Sequence, residues 1–264
     1  MPEIKYELTL TSETECSQLY TLTYWSEGLR IAGFFGRPKP AGRHPAVIYN
    51  RGGRGDNSAL TGKEIVAFVE AGYVAIGSQY RGGPGSEGRD QFGGADLHDV
   101  QILIPLLQSL PYVDGDRIGM MGVSRGGLMT HLVLKQETLA KSHHVKAAVT
   151  VGGIADLLLW IKDRPSIRDG TLVPAIGKTP EEAPELYKER SAVNWPDLIN
   201  APVLLLHGEA DDRASLEHSR RLAGLLQAAG KTADLITYPE GSHTLGRRYG
   251  FGVPAALEWF AKYC

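Results

Sequence analysis

The stretch from Arg117 to Met129 limits the possible folds more than any other part of the sequence. An apolar run leads into Gly122-x-Ser124-x-Gly126, and a helical pattern follows. A strand that turns sharply into a helix around such a motif is typical of a nucleophile elbow, which presents the serine at the tip of the turn. The flanking glycines let the two elements approach closely, and the free N–H groups of the helix start favour a developing negative charge. Because the chain has 32 glycines, the motif is informative only if partners for the serine occur elsewhere.

The rest of the chain follows a regular order of elements. From His44 onward short apolar strands alternate with segments of helical spacing, whereas the first forty residues are predicted to form antiparallel strands with a hairpin turn at 26–28. The predicted strands of the alternating part are residues 46–49, 73–77, 118–121, 145–151, 202–206 and 233–238. This alternation predicts an α/β fold with a mainly parallel sheet flanked by helices, to which the N-terminal strands add an antiparallel edge.

Two segments depart from simple alternation. Residues 95–110 have helical spacing, but Pro105 lies among them, and an interior proline removes a hydrogen bond and clashes with the preceding turn. We therefore expect a kink at Pro105 or a helix that starts again there. Residues 153–200 separate two core strands and predict a helical cap insertion over the site. The length predicts one domain, 1–264, that carries this insertion.

Composition excludes several classes of function. A net charge of −2 and a pI near 6.5 argue against a nucleic-acid-binding or membrane-surface protein. No apolar run reaches the roughly 18 residues of a membrane span, and the N-terminus lacks a signal pattern, so a cytoplasmic protein is expected. Cys16 and Cys264 fit two reduced cysteines. Without metal-binding spacing or a dinucleotide fingerprint, we expect no metal and no cofactor. The expected partner is a small-molecule or short-peptide substrate, and the sequence does not indicate an oligomeric state.

Partners for Ser124 follow two later strands, where functional residues of open α/β sheets lie. Asp211 and Asp212 follow the strand after the predicted cap, and His243 follows the last strand. A serine hydroxyl needs an imidazole to take its proton, and the imidazole needs a carboxylate to orient it. The order Ser, Asp, His is that of the hydrolases with this architecture. Either aspartate could instead cap the next helix, and His207 at a strand end suits packing better than catalysis.

Several separated motifs resemble the prolyl oligopeptidase family of serine peptidases, within the α/β-hydrolase fold. They run from about Pro45 to the C-terminus and comprise Tyr80-Arg81-Gly82, Asp99, Asp114-Gly115-Asp116-Arg117-Ile118-Gly119, Gly122-Val123-Ser124-Arg125-Gly126-Gly127 and Leu205-Leu206-His207-Gly208 with Asp211-Asp212-Arg213. The resemblance implies that Ser124 is the nucleophile, Asp211 the orienting acid and His243 the general base. It also implies oxyanion donors at the N–H groups of Arg125 and Gly52, and a substrate-holding role for Arg213.

The sequence departs from the family at two arginines. Arg51 stands where relatives often have His or Tyr, and Arg125 stands where peptidases of the family commonly have an aromatic residue. Both could bind a substrate carboxylate or could form internal ion pairs. The large peptidases also carry an N-terminal propeller, for which this sequence has no counterpart. The candidates for an apolar pocket, or alternatively for packing the cap onto the sheet, are Trp160, Ile161, Tyr187 and Trp195.

Three kinds of function follow from these residues. The first is a serine hydrolase that cleaves an ester or an amide (peptide) bond through an acyl-enzyme. A small-molecule carboxylesterase or an acyltransferase would use the same triad. The third kind is a catalytically silent binding protein with this fold. Such a protein would have no chemical need to keep Ser124, Asp211 and His243 together.

Overall fold

One mixed sheet forms the centre of the protein in a computed structural model that describes residues 4–264. Its nine strands are β1 (Tyr6–Glu13), β2 (Ser17–Ser26), β3 (Leu29–Pro38), β4 (His44–Asn50), β5 (Val74–Ser78), β6 (Val113–Val123), β7 (Val145–Val151), β8 (Val203–Gly208) and β9 (Ala233–Tyr238). Their spatial order is β1-β2-β3-β5-β4-β6-β7-β8-β9, parallel from β5 to β9 and antiparallel from β1 through the β3–β5 pair. The predicted mainly parallel sheet with antiparallel N-terminal strands is confirmed.

Helices cover both faces of this sheet. They are α1 (Lys63–Glu70), α2 (His98–Gln101), α3 (Leu103–Ser109), α4 (Arg125–Leu139), α5 (Leu157–Asp163), α6 (Val173–Ile176), α7 (Pro184–Glu189), α8 (Glu217–Ala228) and α9 (Val253–Tyr263). α1 and α9 bury residues such as Phe68 and Phe260 on one face, whereas α3, α4 and α8 bury leucines on the other. None of the helices in residues 4–264 is long and apolar enough to cross a membrane.

The central strands are buried on both sides, which explains their nearly continuous apolar sequence. Because successive side chains of a strand point to opposite faces, Ile48 packs with α3 and α4 while its neighbour Val47 packs with α1 and α9. Met120 and Met121 in β6 divide between the same two cores. Water is thereby excluded from both faces of the strands that carry the candidate site residues.

The hairpin between β2 and β3 closes through Glu27 and Gly28. Ser26 and Leu29 are paired across the ladder, and the two intervening residues have φ values of 49° and 81°. Two successive left-handed residues give the turn whose twist matches that of paired strands, and glycine adopts such a φ without steric cost. The hairpin predicted at residues 26–28 is confirmed.

The helical segment over 95–110 is interrupted, but the interruption lies a few residues before Pro105, where the kink or new helix start was expected. A short 3₁₀ turn (Ala95–Leu97) leads into α2, and the break lies at Ile102, so that Pro105 falls in the first turn of α3. The reason is that a proline offers no N–H to the carbonyl four residues earlier and its ring clashes there. That carbonyl belongs to Gln101, the last residue of α2. The interruption is therefore displaced by about one turn towards the N-terminus.

The segment between β7 and β8, here called the β7–β8 segment (residues 152–202), contains only helical elements. Besides α5, α6 and α7 these are a π-helical turn (Arg168–Leu172) and two 3₁₀ turns (Ala192–Asn194 and Pro196–Leu198). Asp156 caps α5 by accepting hydrogen bonds from two N–H groups, at 3.0 and 3.1 Å. Its other oxygen lies 2.6 Å from the Arg221 guanidinium in α8, so one carboxylate both caps α5 and attaches the segment to α8.

Candidate active site

Ser124 occupies a strained turn between β6 and α4. Its φ and ψ are 57° and −120°, which a residue with a Cβ rarely adopts. The turn is held by its own backbone, because the Ser124 N–H donates to the Val151 carbonyl at 2.8 Å and its carbonyl accepts from Gly127 at 2.9 Å. A Cβ at Gly122 would overlap the carbonyl of Gly126, and one at Gly126 would overlap backbone atoms of Asn50. The crowding predicted from the motif is present at both glycines.

The two predicted oxyanion donors lie beside Ser124. Arg125 is the first residue of α4, where backbone N–H groups have no partner within the helix. Gly52 follows β4, and a Cβ added there would lie 3.2 Å from the Ser124 Cβ. A side chain at this position would crowd the serine. The sequence-predicted residues Ser124, Arg125 and Gly52 are therefore neighbours.

Asp211 and His243 form a hydrogen-bonded pair. His243 Nδ1 lies 2.7 Å from Asp211 Oδ2, and the Asp211 side chain is fully buried. The other carboxylate oxygen accepts the N–H groups of Arg213 (2.8 Å) and Ala214 (3.0 Å), which fixes the plane of the carboxylate. Asp212 is exposed and contributes no side-chain hydrogen bond within the described part of the chain. The structure thus brings Asp211, and not Asp212, to the histidine.

A second histidine, His207, contacts the same carboxylate from the end of β8. Its Nε2 lies 3.2 Å from Asp211 Oδ2 and 2.9 Å from the Ala214 carbonyl, while Nδ1 lies 2.8 Å from the Ser219 hydroxyl. Since a carbonyl only accepts, Nε2 carries the proton and donates it to the Ala214 carbonyl, with the Asp211 carboxylate close beside it. Burial alone would raise the pKa of the Asp211 carboxyl, but the hydrogen bonds from His207 and His243 hold it well below its usual value. Asp211 is consequently ionised at neutral pH.

Gly152, the residue after β7, leaves space for this pair. Its φ is 53°, and an added Cβ would lie 3.0 Å from His243 Nδ1 and 3.1 Å from Asp211 Oδ2. Any side chain there would meet the His243 carbonyl as well, at 2.6 Å. The Asp211–His243 pair is therefore packed directly against the end of β7.

Ser124 and His243 line a single cavity of about 520 Å³. Trp160 forms part of its wall, stacked on Phe92 with ring centroids 5.9 Å apart, and its Nε1 donates to the Arg213 carbonyl at 2.8 Å. Arg51, Arg125 and Arg213 also line the cavity. The β7–β8 segment thus supplies one side of the space in front of the serine.

Other pocket candidates lie elsewhere. Tyr187 is fully buried and its hydroxyl donates to the Lys178 carbonyl at 2.8 Å, while Trp195 Nε1 donates to the Lys188 carbonyl at 3.2 Å. Neither they nor Ile161 line the cavity. The structure does not bring Tyr187 to the serine; its side chain packs inside the β7–β8 segment.

Arg125 is fully buried and its side chain lies in an internal charge cluster. Its guanidinium contacts the carboxylates of Asp90 and Asp96, the latter at 2.5 Å, and donates to the Gly53 carbonyl at 2.9 Å. The side chain that follows the serine therefore ties down the loop that contains Gly52. This arrangement corresponds to the internal ion pair that the sequence left open for Arg125.

Arg51 is equally buried but has no carboxylate partner among residues 4–264. Its three nitrogens donate to the carbonyls of Gln79 (3.2 Å), Asn57 (3.1 Å) and Gly55 (2.8 Å). Burial lowers the pKa of its guanidinium, an effect that the neighbouring Tyr80 partly offsets. Arg51 thus fixes the loop after β4 from inside and also lines the cavity.

Tyr80 is a component of the site to which the sequence analysis assigned no role. It is fully buried with a φ of 59°, its hydroxyl donates to the Arg51 carbonyl at 3.1 Å, and its ring centroid lies 4.8 Å from the Arg125 guanidinium carbon. The next residue, Arg81, is held by a bidentate pair with buried Asp99, at 2.7 Å for the shortest contact. The family-like motif at residues 80–82 thus anchors the wall behind the oxyanion loop.

Asp90, Asp96 and His207 are further residues of the site that sequence reasoning missed. Asp90 lies in an irregular loop and Asp96 in the 3₁₀ turn that follows it, 35 and 29 residues before Arg125, so no local pattern connects them with the arginine. His207 was interpreted as a packing residue because it ends a strand. Within residues 4–264, no group of three His, Cys, Asp or Glu side chains is arranged to hold a metal ion.

The sheet order and the serine elbow define the chain as an α/β-hydrolase. A model of the prolyl oligopeptidase family matches residues 59–264, and the chain belongs to this family. It is accordingly a serine hydrolase. The Bacillus subtilis protein called uncharacterized peptidase YtmA is 34% identical over 232 residues, which are 88% of this chain and 88% of that protein.

Solved structures with the same fold include both peptidases and esterases. A puromycin-hydrolyzing peptidase of Mycobacterium tuberculosis has a TM-score of 0.76 at 22% identity, over 96% of this chain but 46% of its own. An acetyl xylan esterase from Paenibacillus sp. R4 has a TM-score of 0.75 at 15% identity, over 99% of this chain and 90% of its own. At these identities the likeness shows the fold alone.

Proposed function

We propose that the chain hydrolyses an ester or amide bond through an acyl-enzyme formed on Ser124, with His243 as general base and Asp211 as orienting acid. The observation that carries this proposal is the 2.7 Å contact between His243 Nδ1 and the buried Asp211 carboxylate. A carboxylate in that position keeps the proton on Nδ1 and leaves Nε2 free to accept one. The strained elbow that presents Ser124 to the same cavity as His243 supports the assignment.

In the proposed first half-reaction, His243 takes the hydroxyl proton of Ser124 as the oxygen attacks the substrate carbonyl. The resulting oxyanion accepts hydrogen bonds from the backbone N–H groups of Arg125 and Gly52, and the positive end of α4 stabilises it further. His243 then returns the proton to the leaving alcohol or amine. In the second half-reaction a water molecule, deprotonated by His243, releases the acid and restores the serine.

The proposed substrates are short acyl esters, short peptides or related amides. Membership of the prolyl oligopeptidase family supports an amide, and the fold likeness to an acetyl xylan esterase over 90% of that protein supports an ester. We propose that the β7–β8 segment acts as the cap that selects among them, because Trp160 from this segment forms part of the cavity wall. Arg213, which also lines the cavity, is proposed to hold the substrate.

Two experiments test this proposal. A fluorophosphonate should label the wild-type protein and fail to label Ser124→Ala, with Ser142→Ala, a partly exposed serine outside the cavity, as the matched control. A wild type that remains unlabelled would refute the nucleophile assignment. A panel of p-nitrophenyl esters against aminoacyl- and prolyl-p-nitroanilides then separates esterase from peptidase activity, since both release a coloured product from the same acyl-enzyme step.

A further inference from the structure

The cavity in front of Ser124 has an unusual balance of charges. Five arginines line it, whereas Glu64 is its only carboxylate among residues 4–264. The arginines are Arg51, Arg54, Arg125, Arg164 and Arg213. Glu64 itself is engaged at the start of α1, where its carboxylate accepts the Thr61 N–H at 3.0 Å.

Nearby acids neutralise only part of this positive charge. Asp90 and Asp96 are bound by Arg125, and the Arg54 guanidinium lies 3.8 Å from Asp90. Asp211 is occupied by the two histidines and two backbone N–H groups described above. These acids are therefore already engaged, and two of the five arginines have neither a carboxylate nor a hydrogen-bond partner for their side chains among residues 4–264.

Arg164 and Arg213 are those arginines. Both are exposed, and neither side chain makes a hydrogen bond or an ion pair with another of the residues 4–264. Their neighbours in sequence, Asp163 and Asp212, do not line the cavity. Asp163 instead accepts the Ser215 hydroxyl at 2.5 Å. Both arginines thus line the cavity while the hydrogen-bonding capacity of their guanidinium groups is unused.

Apolar groups stand beside these charges. Trp160 and Ile167 come from the same β7–β8 segment as Arg164, and all three line the cavity. A guanidinium binds a carboxylate through two parallel hydrogen bonds, and a cleft lined by one sign of charge concentrates the opposite sign. A ligand that fits both features has an apolar body and a negatively charged end.

We propose that this cavity selects ester or amide substrates that carry a carboxylate, which Arg164 binds while Arg54 and Arg213 add positive potential. This inference rests on the proposed function, since it places the carboxylate within reach of an acyl transfer to Ser124. The carboxylate belongs either to the acyl group or to the leaving group. The chemistry of recognition is the same in both cases.

Matched pairs of substrates test the proposal and separate the two sources of the charge. Mono-p-nitrophenyl adipate against its methyl ester places the charge in the acyl group. 4-Acetoxybenzoate against methyl 4-acetoxybenzoate places it in the leaving group. For one pair, kcat/KM of the anionic member should exceed that of the neutral member by about tenfold, after correction for hydroxide-catalysed hydrolysis. The preference should shrink as ionic strength rises from about 0.05 M to about 0.5 M.

Variants identify the residue responsible. Arg164→Gln should lower the anionic-to-neutral ratio about fivefold or more, whereas Arg220→Gln, an exposed arginine of α8 outside the cavity, should leave the ratio as in the wild type. Because a ratio is measured, a general loss of active protein cancels. Equal kcat/KM for the members of both pairs, or the same ratio in Arg164→Gln and Arg220→Gln, would overturn the inference.

Failure of the inference about the carboxylate can be distinguished from failure of the proposed hydrolase function. If Ser124 is labelled and neutral esters are hydrolysed without any preference for anionic ones, only the inference about the carboxylate falls. If Ser124 is not labelled and no ester or anilide is hydrolysed, the proposed function falls and the inference falls with it.

Discussion

The buried guanidinium of Arg125 offers a quantitative test of how the oxyanion loop is held. In an Arg125→Met variant the side chain keeps its approximate length, but Asp90 and Asp96, both nearly inaccessible to solvent, lose their partner. Removing one member of a buried ion pair costs about 3–5 kcal/mol, because the remaining charge is uncompensated. Loss of the cation between the Tyr80 and Phe92 rings, each 4.8 Å away, adds up to about 1 kcal/mol.

We therefore expect Arg125→Met to lower the free energy of unfolding by about 4 kcal/mol, measured by urea denaturation followed by tryptophan fluorescence. Neutralising the acids as well, in Arg125→Met/Asp90→Asn/Asp96→Asn, should recover most of that loss, since neither residue 90 nor residue 96 then carries a buried charge. Arg220→Met is the matched surface control and should change stability by less than about 0.5 kcal/mol.

Catalysis should respond separately from stability. In Arg125→Met the Gly53 carbonyl loses the 2.9 Å hydrogen bond that the Arg125 guanidinium donates to it. The neighbouring Gly52 is then no longer held against Ser124. The kcat of the folded fraction should fall in Arg125→Met and stay low in the triple variant, even though stability returns. A loss below about 1 kcal/mol in the single variant, or no recovery in the triple one, would refute the reasoning from uncompensated charge.

Three further predictions concern other parts of the site and core. Asp211→Asn should lower kcat by about 10⁴ in a steady-state ester assay, because His243 loses the charge that orients it. Asp212→Asn should change kcat less than threefold in the same assay. An equal loss of kcat in Asp212→Asn would reverse the choice of acid. Burial lowers the pKa of His131 to about 3, so the unfolded state binds this proton first and stability should decline as pH falls below about 6.5. Urea midpoints of His131→Leu should fall less steeply between pH 6.5 and 4, and an unchanged slope would contradict this. Gly126→Ala should lower the free energy of unfolding by at least about 2 kcal/mol, since backbone atoms occupy the space of the added Cβ. Gly224→Ala in α8, where the added Cβ meets open space, should raise that free energy by about 0.5–1 kcal/mol. Similar urea midpoints for these two variants would show that the elbow has room for a side chain.

The sequence predicted those parts of the fold that depend on local pattern. The alternation between apolar strands and helices is visible along the chain. The sharp turn at Ser124 is predicted by Gly122 and Gly126, two residues away on each side. The position of the break near Pro105 was not predicted because a proline acts on the carbonyl four residues earlier. A helix boundary therefore shifts away from the residue that causes it.

The site was predictable only where chain order carries information. Ser124 and His243 were selected because each follows a strand, and the pattern could not separate Asp211 from Asp212 since both follow the same one. Burial distinguishes them, and burial depends on the packed structure. The carboxylate partners of Arg125 lie 29 and 35 residues before it, in a 3₁₀ turn and an irregular loop, and no sequence periodicity connects them with the arginine.

The charge cluster around Arg125 also has a consequence for the order in which the chain matures during synthesis. Asp90 and Asp96 leave the ribosome before Arg125, and until the arginine arrives their burial would cost several kcal/mol each. The loop that carries them must therefore stay in water while β6 and the elbow are still being made. The Gly53 carbonyl likewise cannot form its hydrogen bond until the Arg125 guanidinium, 72 residues further along the chain, has been made. The loop that contains Gly52 and Gly53 can therefore be held in place only after Arg125 has been made.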